Sequence, residues 1–187
     1  MTEPTITCED VAEWESWLEA NHDSQASVWI KIAKKNSGIA SITANEGIDG
    51  ALCFGWIDGQ RRSLDETHFL QRYSRRRPKG TWSQVNVAKV AALTAEGRMR
   101  PGGLAEVEAA KADGRWAAAY ASQKAATVPD DLAEALTRDK SAAQAFEALD
   151  KTSRYAILLD LMKARTPATR ATRLEKAIDA LRGATRA

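Results

Sequence analysis

A chain of 187 residues with 44% apolar side chains can bury a core as one domain or two small ones, so disorder is not the default reading. Its 27 basic and 25 acidic side chains leave a net charge of only +2, which excludes a global field driving the molecule onto nucleic acid or membrane. Any electrostatic function is therefore local. Two well-separated cysteines argue against a disulfide framework, and Cys53, in the apolar run Ala51 to Phe54, reads as a buried reduced thiol. The two histidines, His22 and His68, lack a second ligand at metal spacing, so no metal and no cofactor are expected. The opening stretch is acid-rich through Glu19 rather than basic and then apolar, and no run approaches the roughly 18 apolar residues of a membrane span. A cytoplasmic location without membrane insertion is the expectation.

In chain order, Thr7-Cys-Glu-Asp10 predicts a helix N-cap with an acid at N3, and Val11, Trp14 and Leu18 then share one helical face to about Asn21. Val28, Ile30 and Ile32 alternate with Trp29, Lys31 and Ala33, the period of a half-buried strand. Turn chemistry at Asn36-Ser37-Gly38 predicts a hairpin to a second strand at Ile39 to Ile42. Thr43-Ala-Asn-Glu46 is a second capping box, opening a helix that Gly55 ends. Two extended pieces follow, about Trp56 to Leu64 and His68 to Ser74. Beyond Pro78-Lys-Gly80 the periodicity predicts helices only. They lie at about Ser83 to Glu96, Leu104 to Ala112 and Trp116 to Ser122, then from Pro129, from Ser141 and from Ser153, and a last one after Thr166-Pro167. The fold class expected is α+β, with an antiparallel sheet first and an all-helical module after it. The break at Arg100-Pro-Gly-Gly103 divides them into residues 1–100 and 101–187.

Certain residues carry a resemblance to a known family. They are Trp14-x-x-Trp17-Leu18, Val28-Trp29-Ile30-Lys31, the block Ala51-Leu-Cys-Phe-Gly-Trp-Ile-Asp-Gly59, Arg76-Arg77-Pro78 and Trp82-Ser83-x-x-Asn86, then Gly97-Arg98-Met99, Asp113-Gly114-Arg115-Trp116 and Val128-Pro129-x-Asp131-Leu132. Their order over nearly the whole chain resembles the YdeI/OmpD-associated, or bacteriocin-protection, family. The resemblance implies an N-terminal half similar to the frataxin-like α/β sandwich and a helical C-terminal half, with a role in antimicrobial stress or porin association. The family's usual ending, Ala-Lys-Arg-x-x-Thr-Arg, reads here Lys163-Ala-Arg-Thr-Pro-Ala-Thr-Arg170, a departure from the pattern.

The candidate site is the Trp- and Arg-rich middle. Residues 69–79 contain Arg72, Arg75, Arg76, Arg77 and Lys79 and no acid. If strand end and helix start adjoin, Trp56, Asp58, Arg61, Arg77, Trp82, Ser83, Asn86 and Arg98 converge on an anion, because guanidinium groups and helix N-terminal amides are matched donors. The competing reading makes Asp58 a turn residue, the arginines a solvated run and the tryptophans core. The expected activity is binding or stress protection without catalysis, with a small anion or a protein as partner. Three alternatives stand beside it. Nucleic acid would stack on Trp56, Tyr73 and Trp82. An enzyme acting on a small anionic substrate would use Asp58 or Ser83, without a motif to supply a base. Iron, as in frataxin, would gather on the acids of the first helix, Glu9, Asp10, Glu13, Glu15, Glu19 and Asp23.

Overall fold

In the computed structural model, which describes residues 3–184, the alternation at Val28, Ile30 and Ile32 becomes an inner strand of a four-stranded sheet. The strands are β1 (Thr5–Thr7), β2 (Ser27–Ala33), β3 (Trp56–Ser63) and β4 (His68–Arg75), in the order β1-β2-β4-β3. Antiparallel pairing sets Val28 opposite Tyr73 and Ile30 opposite Gln71, which puts all four on the buried face. β1 runs parallel to β2, with Thr5 opposite Trp29, so the sheet expected to be antiparallel is mixed.

The hairpin expected at Ile39 to Ile42 does not form. Residues 38–43 carry no strand; Ile42 is instead a single buried anchor whose N–H donates to the Cys8 carbonyl at 3.1 Å. The edge of β2 that a hairpin would occupy is taken by β4, which pairs with it over seven residues. β3 lies at the other edge, and its register shifts between Asp58 and Arg61. A bulge and charged side chains on an outer strand discourage pairing with another chain.

Two helices pack against the sheet. In α1 (Val11–Asn21) the N-cap is Asp10, whose carboxylate accepts from the Glu13 N–H at 2.9 Å, while Thr7, the expected cap, lies in β1. α2 (Ala44–Cys53) has the expected capping box, with Thr43 and Glu46 bonding reciprocally. Its small residues let large rings approach. The Trp14 indole N–H donates to the Gly47 carbonyl at 3.0 Å, and a Cβ on Gly50 would lie 2.7 Å from Trp14 Cδ1. Trp14 stacks on Trp17 at 5.5 Å between ring centroids and tilts against Tyr73 at 5.4 Å. Gly55 leaves α2 with φ +77°, the left-handed conformation glycine adopts without penalty, and the chain enters β3 at once.

α3 (Gln84–Ala95) and α4 (Pro101–Ala112) follow. α4 starts earlier than its apolar periodicity suggests because proline suits the first helical turn. The helix expected from Trp116 to Ser122 is absent. There the Tyr120 N–H donates to the Trp82 carbonyl at 3.0 Å and the Gln84 N–H to the Tyr120 carbonyl at 2.9 Å, an isolated bridge that holds the backbone extended. Four helices complete the described chain: α5 (Asp130–Arg138), α6 (Lys140–Ala148), α7 (Lys151–Met162) and α8 (Pro167–Ala184). Asp139 caps α6 and Asp150 caps α7. Leu132, Ala142, Phe146, Leu158, Leu161, Ile178 and Leu181 form their common core, and Arg170 of α8 binds Asp131 of α5 with Nε at 2.6 Å.

The chain divides into two compact units. One runs to Gly80 and resumes over Asn86–Ala117; the other takes Thr81–Val85 and the chain from Ala118. Among the described residues no helix is long and apolar enough to cross a membrane.

Candidate functional site

The end of β4, the start of β3 and the first turn of α4 enclose a cleft of about 290 Å³ in the first unit. Trp56 lines it because strand alternation turns the first residue of β3 toward the core, where its ring meets Trp17 edge-on at 5.9 Å. The ring is only 1% exposed, and its buried indole N–H has no hydrogen-bond partner. A desolvated donor left without an acceptor costs about 1–3 kcal/mol, so its occurrence on a ring beside the cleft asks for a reason.

Arg75 and Arg76 leave β4 side by side and both line the cleft. Arg75 donates Nε to the carbonyls of His22 at 2.9 Å and Gln25 at 3.0 Å, and Nη2 to the carbonyl of Asp23. Carbonyl oxygens satisfy the donors without cancelling the charge. Arg76 is 8% exposed, and its backbone N–H donates to the Gly55 carbonyl at 3.1 Å. His22 accompanies them. Its Nδ1 bonds the Leu18 carbonyl at 2.9 Å, and its ring lies 5.1 Å from that of Phe54. Gly102 adds the first turn of α4, where the helix dipole is positive and no side chain caps the free amides.

Two acids share the lining. Glu106 accepts from Arg115 Nη1 at 2.8 Å, and Asp23 is almost fully exposed beside His22. Burial works against the charge of Arg115, but its bonds to Glu106 and Asp113 outweigh that and keep it protonated. The glutamate is thus engaged, and positive charge dominates the cleft.

Of the eight residues expected to converge, Trp56 is the one that lines this cleft. Asp58 is exposed on β3. Arg61, also exposed, donates Nε to Gln71 Oε1 at 2.9 Å and stacks 4.5 Å over Phe69. Arg77 is exposed in the turn after β4, where its carbonyl accepts from the Gly80 N–H at 2.9 Å. Asn86 lies in α3. Arg98 is held by Glu15 at 2.8 Å and Glu96 at 3.4 Å, and the Glu15 bond above all keeps it charged. Trp82 and Ser83 fall in the second unit. Sequence reasoning left the other lining residues out of the set, among them His22, Phe54, Arg75, Arg76 and Gly102 and the acids Asp23 and Glu106. The signal for the arginines was present, since they stand in the acid-free run, but which arginine turns inward depends on where β4 ends.

The rings expected to stack on nucleic acid are core. Trp56 and Trp82 are 1% exposed and Tyr73 is fully buried. Burial first, and then the Asp58 carboxylate, push the Tyr73 phenol up. Of the acids expected to gather iron, Asp10 and Glu13 close the first turn of α1, Glu15 pairs with Arg98 and Glu19 lies 3.9 Å from Arg100, while Glu9 and Asp23 are exposed. Among the described residues no group of three potential metal ligands assembles.

These features define an α+β protein whose sheet-bearing unit carries a cationic cleft and whose second unit is built around four helices. The chain belongs to the family described as Domain of unknown function (DUF8412), whose model matches residues 6–106. Residues 125–183 match a second family, described as Bacteriocin-protection, YdeI or OmpD-Associated. The resemblance expected over nearly the whole chain is therefore found in its C-terminal part. No curated protein and no solved structure matches the sequence.

Proposed function

We propose that the protein is a non-enzymatic binding protein that holds a small anion in the cleft beside Trp56, in a cytoplasmic stress-protection role. The observation that carries this reading is the lining itself. Two consecutive arginines, one of them buried, line the cleft with the Trp56 ring, whose buried indole N–H lacks an acceptor. An oxyanion supplies both acceptors and countercharge. The stress-protection part draws on the bacteriocin-protection family that residues 125–183 match, and the two free buried cysteines suit a reducing compartment. A frataxin-like ancestry of the first unit is supported only by its general plan, a sheet with α1 and α2 against it. Because Asp10, Glu13 and Glu15 are engaged locally and no three of the acids gather among the described residues, the anion reading is preferred to iron.

A ¹H–¹⁵N titration of the full chain with inorganic phosphate tests the proposal. Phosphate is expected to shift the Trp56 indole resonance and the amides of Arg75, Arg76 and Gly102 together, with one saturation curve. Arg75→Gln, an exposed substitution, is expected to weaken that binding about tenfold, the effect of one charge-assisted bond. An unmoved Trp56 indole at tens of millimolar phosphate would falsify the reading.

A further inference from the structure

The second unit contains its own cavity, about 210 Å³, between the start of α7 and the segment leading into α5. Its walls are apolar: Val128, Phe146, Leu158 and the ring of Tyr155. The Tyr155 hydroxyl is already committed, donating to the Ala121 carbonyl at 2.9 Å. Ala126 adds to the walls, the polar part of the lining is Gln123 with two cations, Lys151 and Arg154, and no carboxylate lies among the lining residues. The nearby carboxylate of Asp150 is occupied in capping α7, where it accepts from the N–H groups of Thr152 at 2.7 Å and Ser153 at 2.9 Å.

Arg154 enters this lining with its charge uncancelled. Its Nη2 donates to the Glu147 carbonyl and its guanidinium centre lies 5.8 Å from the Phe146 ring, so it is anchored and oriented without being neutralised. Its Nε is buried and has no hydrogen-bond partner. Val128, an exposed apolar side chain at 42%, stands at this cavity. The space exceeds the roughly 150 Å³ that accommodates a benzene molecule. An apolar chamber with two unneutralised cations recognises a molecule that has both an apolar body and a negative end, and a guanidinium fork matches a carboxylate.

We propose that this cavity binds a small aromatic carboxylate, its ring against Val128, Phe146 and Leu158 and its carboxylate between Lys151 and Arg154. The site shares no residue with the cleft beside Trp56, so either can fail while the other stands.

The test is a ¹H–¹⁵N titration of the full chain with benzoate, with benzyl alcohol and acetate as comparators. Benzoate is expected to shift the Arg154 Nε–H resonance and the amides of residues 151–158 in one saturable process. Benzyl alcohol, which keeps the ring and lacks the charge, and acetate, which keeps the charge and lacks the ring, are each expected to bind about tenfold more weakly or worse. Lys151→Gln and Arg154→Gln are each expected to weaken benzoate by about fivefold to tenfold. Lys151 is exposed, so its substitution leaves the fold intact and keeps the test decisive if Arg154→Gln does not fold. The proposal is overturned if benzyl alcohol or acetate binds as well as benzoate, if Lys151→Gln leaves benzoate affinity unchanged, or if the shifts map to residues of the other unit.

Discussion

Glu3 shows how much one side chain can organise. Its carboxylate accepts from Ser27 Oγ at 2.7 Å, the Trp29 indole N–H at 2.8 Å and Arg72 Nε at 2.9 Å, and so ties the start of the described chain to β2 and β4. Arg62 covers the same Trp29 ring at 4.6 Å, which explains a tryptophan on the outer sheet face being 8% exposed. The bond from Arg72 first, and then that from Ser27, hold the Glu3 carboxyl down at about 2, against an ordinary 4.5. Because the folded value lies below the unfolded one, the network stabilises fully above about pH 4.5, and that stabilisation is lost as pH falls toward 2. Glu3→Gln is expected to lower Tm at pH 7. Its deficit should shrink toward zero between pH 4.5 and pH 2, measured by thermal unfolding of both proteins across that window. Asp65, held down at about 2 mainly by the Thr67 N–H, titrates over the same range in both proteins and cancels in the difference.

At the scale of the element, α2 depends on its reciprocal cap. Thr43 Oγ1 accepts from the Glu46 N–H at 3.2 Å and Glu46 Oε2 from the Thr43 N–H at 2.7 Å, satisfying two donors that the helix leaves open. Thr43→Ala is expected to cost about 1 kcal/mol, read as a lower urea midpoint with unchanged slope. This helix was legible in the sequence because its signals are local: a cap, a partner three residues on, and a glycine past the end. The α+β class was legible for the same reason, from runs of period two followed by runs of period 3.6. Pairing was not legible. β1 has three residues, too few to show alternation, and β2 finds its partner in β4 across an intervening helix and strand rather than in the adjacent Ile39 to Ile42. Little of the candidate site was legible, for a related reason. Residue types identified the Trp56 and arginine neighbourhood, but only the termination of β4 at Arg75 decides that Arg76 is buried and Arg77 exposed.

At the scale of the whole molecule, each unit has a core of its own. In the second, Leu132 is fully buried within the cluster that joins α5 to α6, α7 and α8. Leu132→Ala is expected to cost about 2–5 kcal/mol by lost transfer energy and the cavity left behind. In native-state hydrogen exchange, amides of α5 to α8 should lose protection while those paired between β2 and β4 keep theirs. The two cysteines lend this scale a practical consequence. Cys8 and Cys53 are both buried, and burial pushes each thiol up to about 11, so about one in ten thousand is ionised at neutral pH. The native protein is in effect blind to thiol reagents. A fluorophore attached through Asp23→Cys at one cleft, or through Gln123→Cys at the other cavity, would report from that address alone, without removing either natural cysteine from the core.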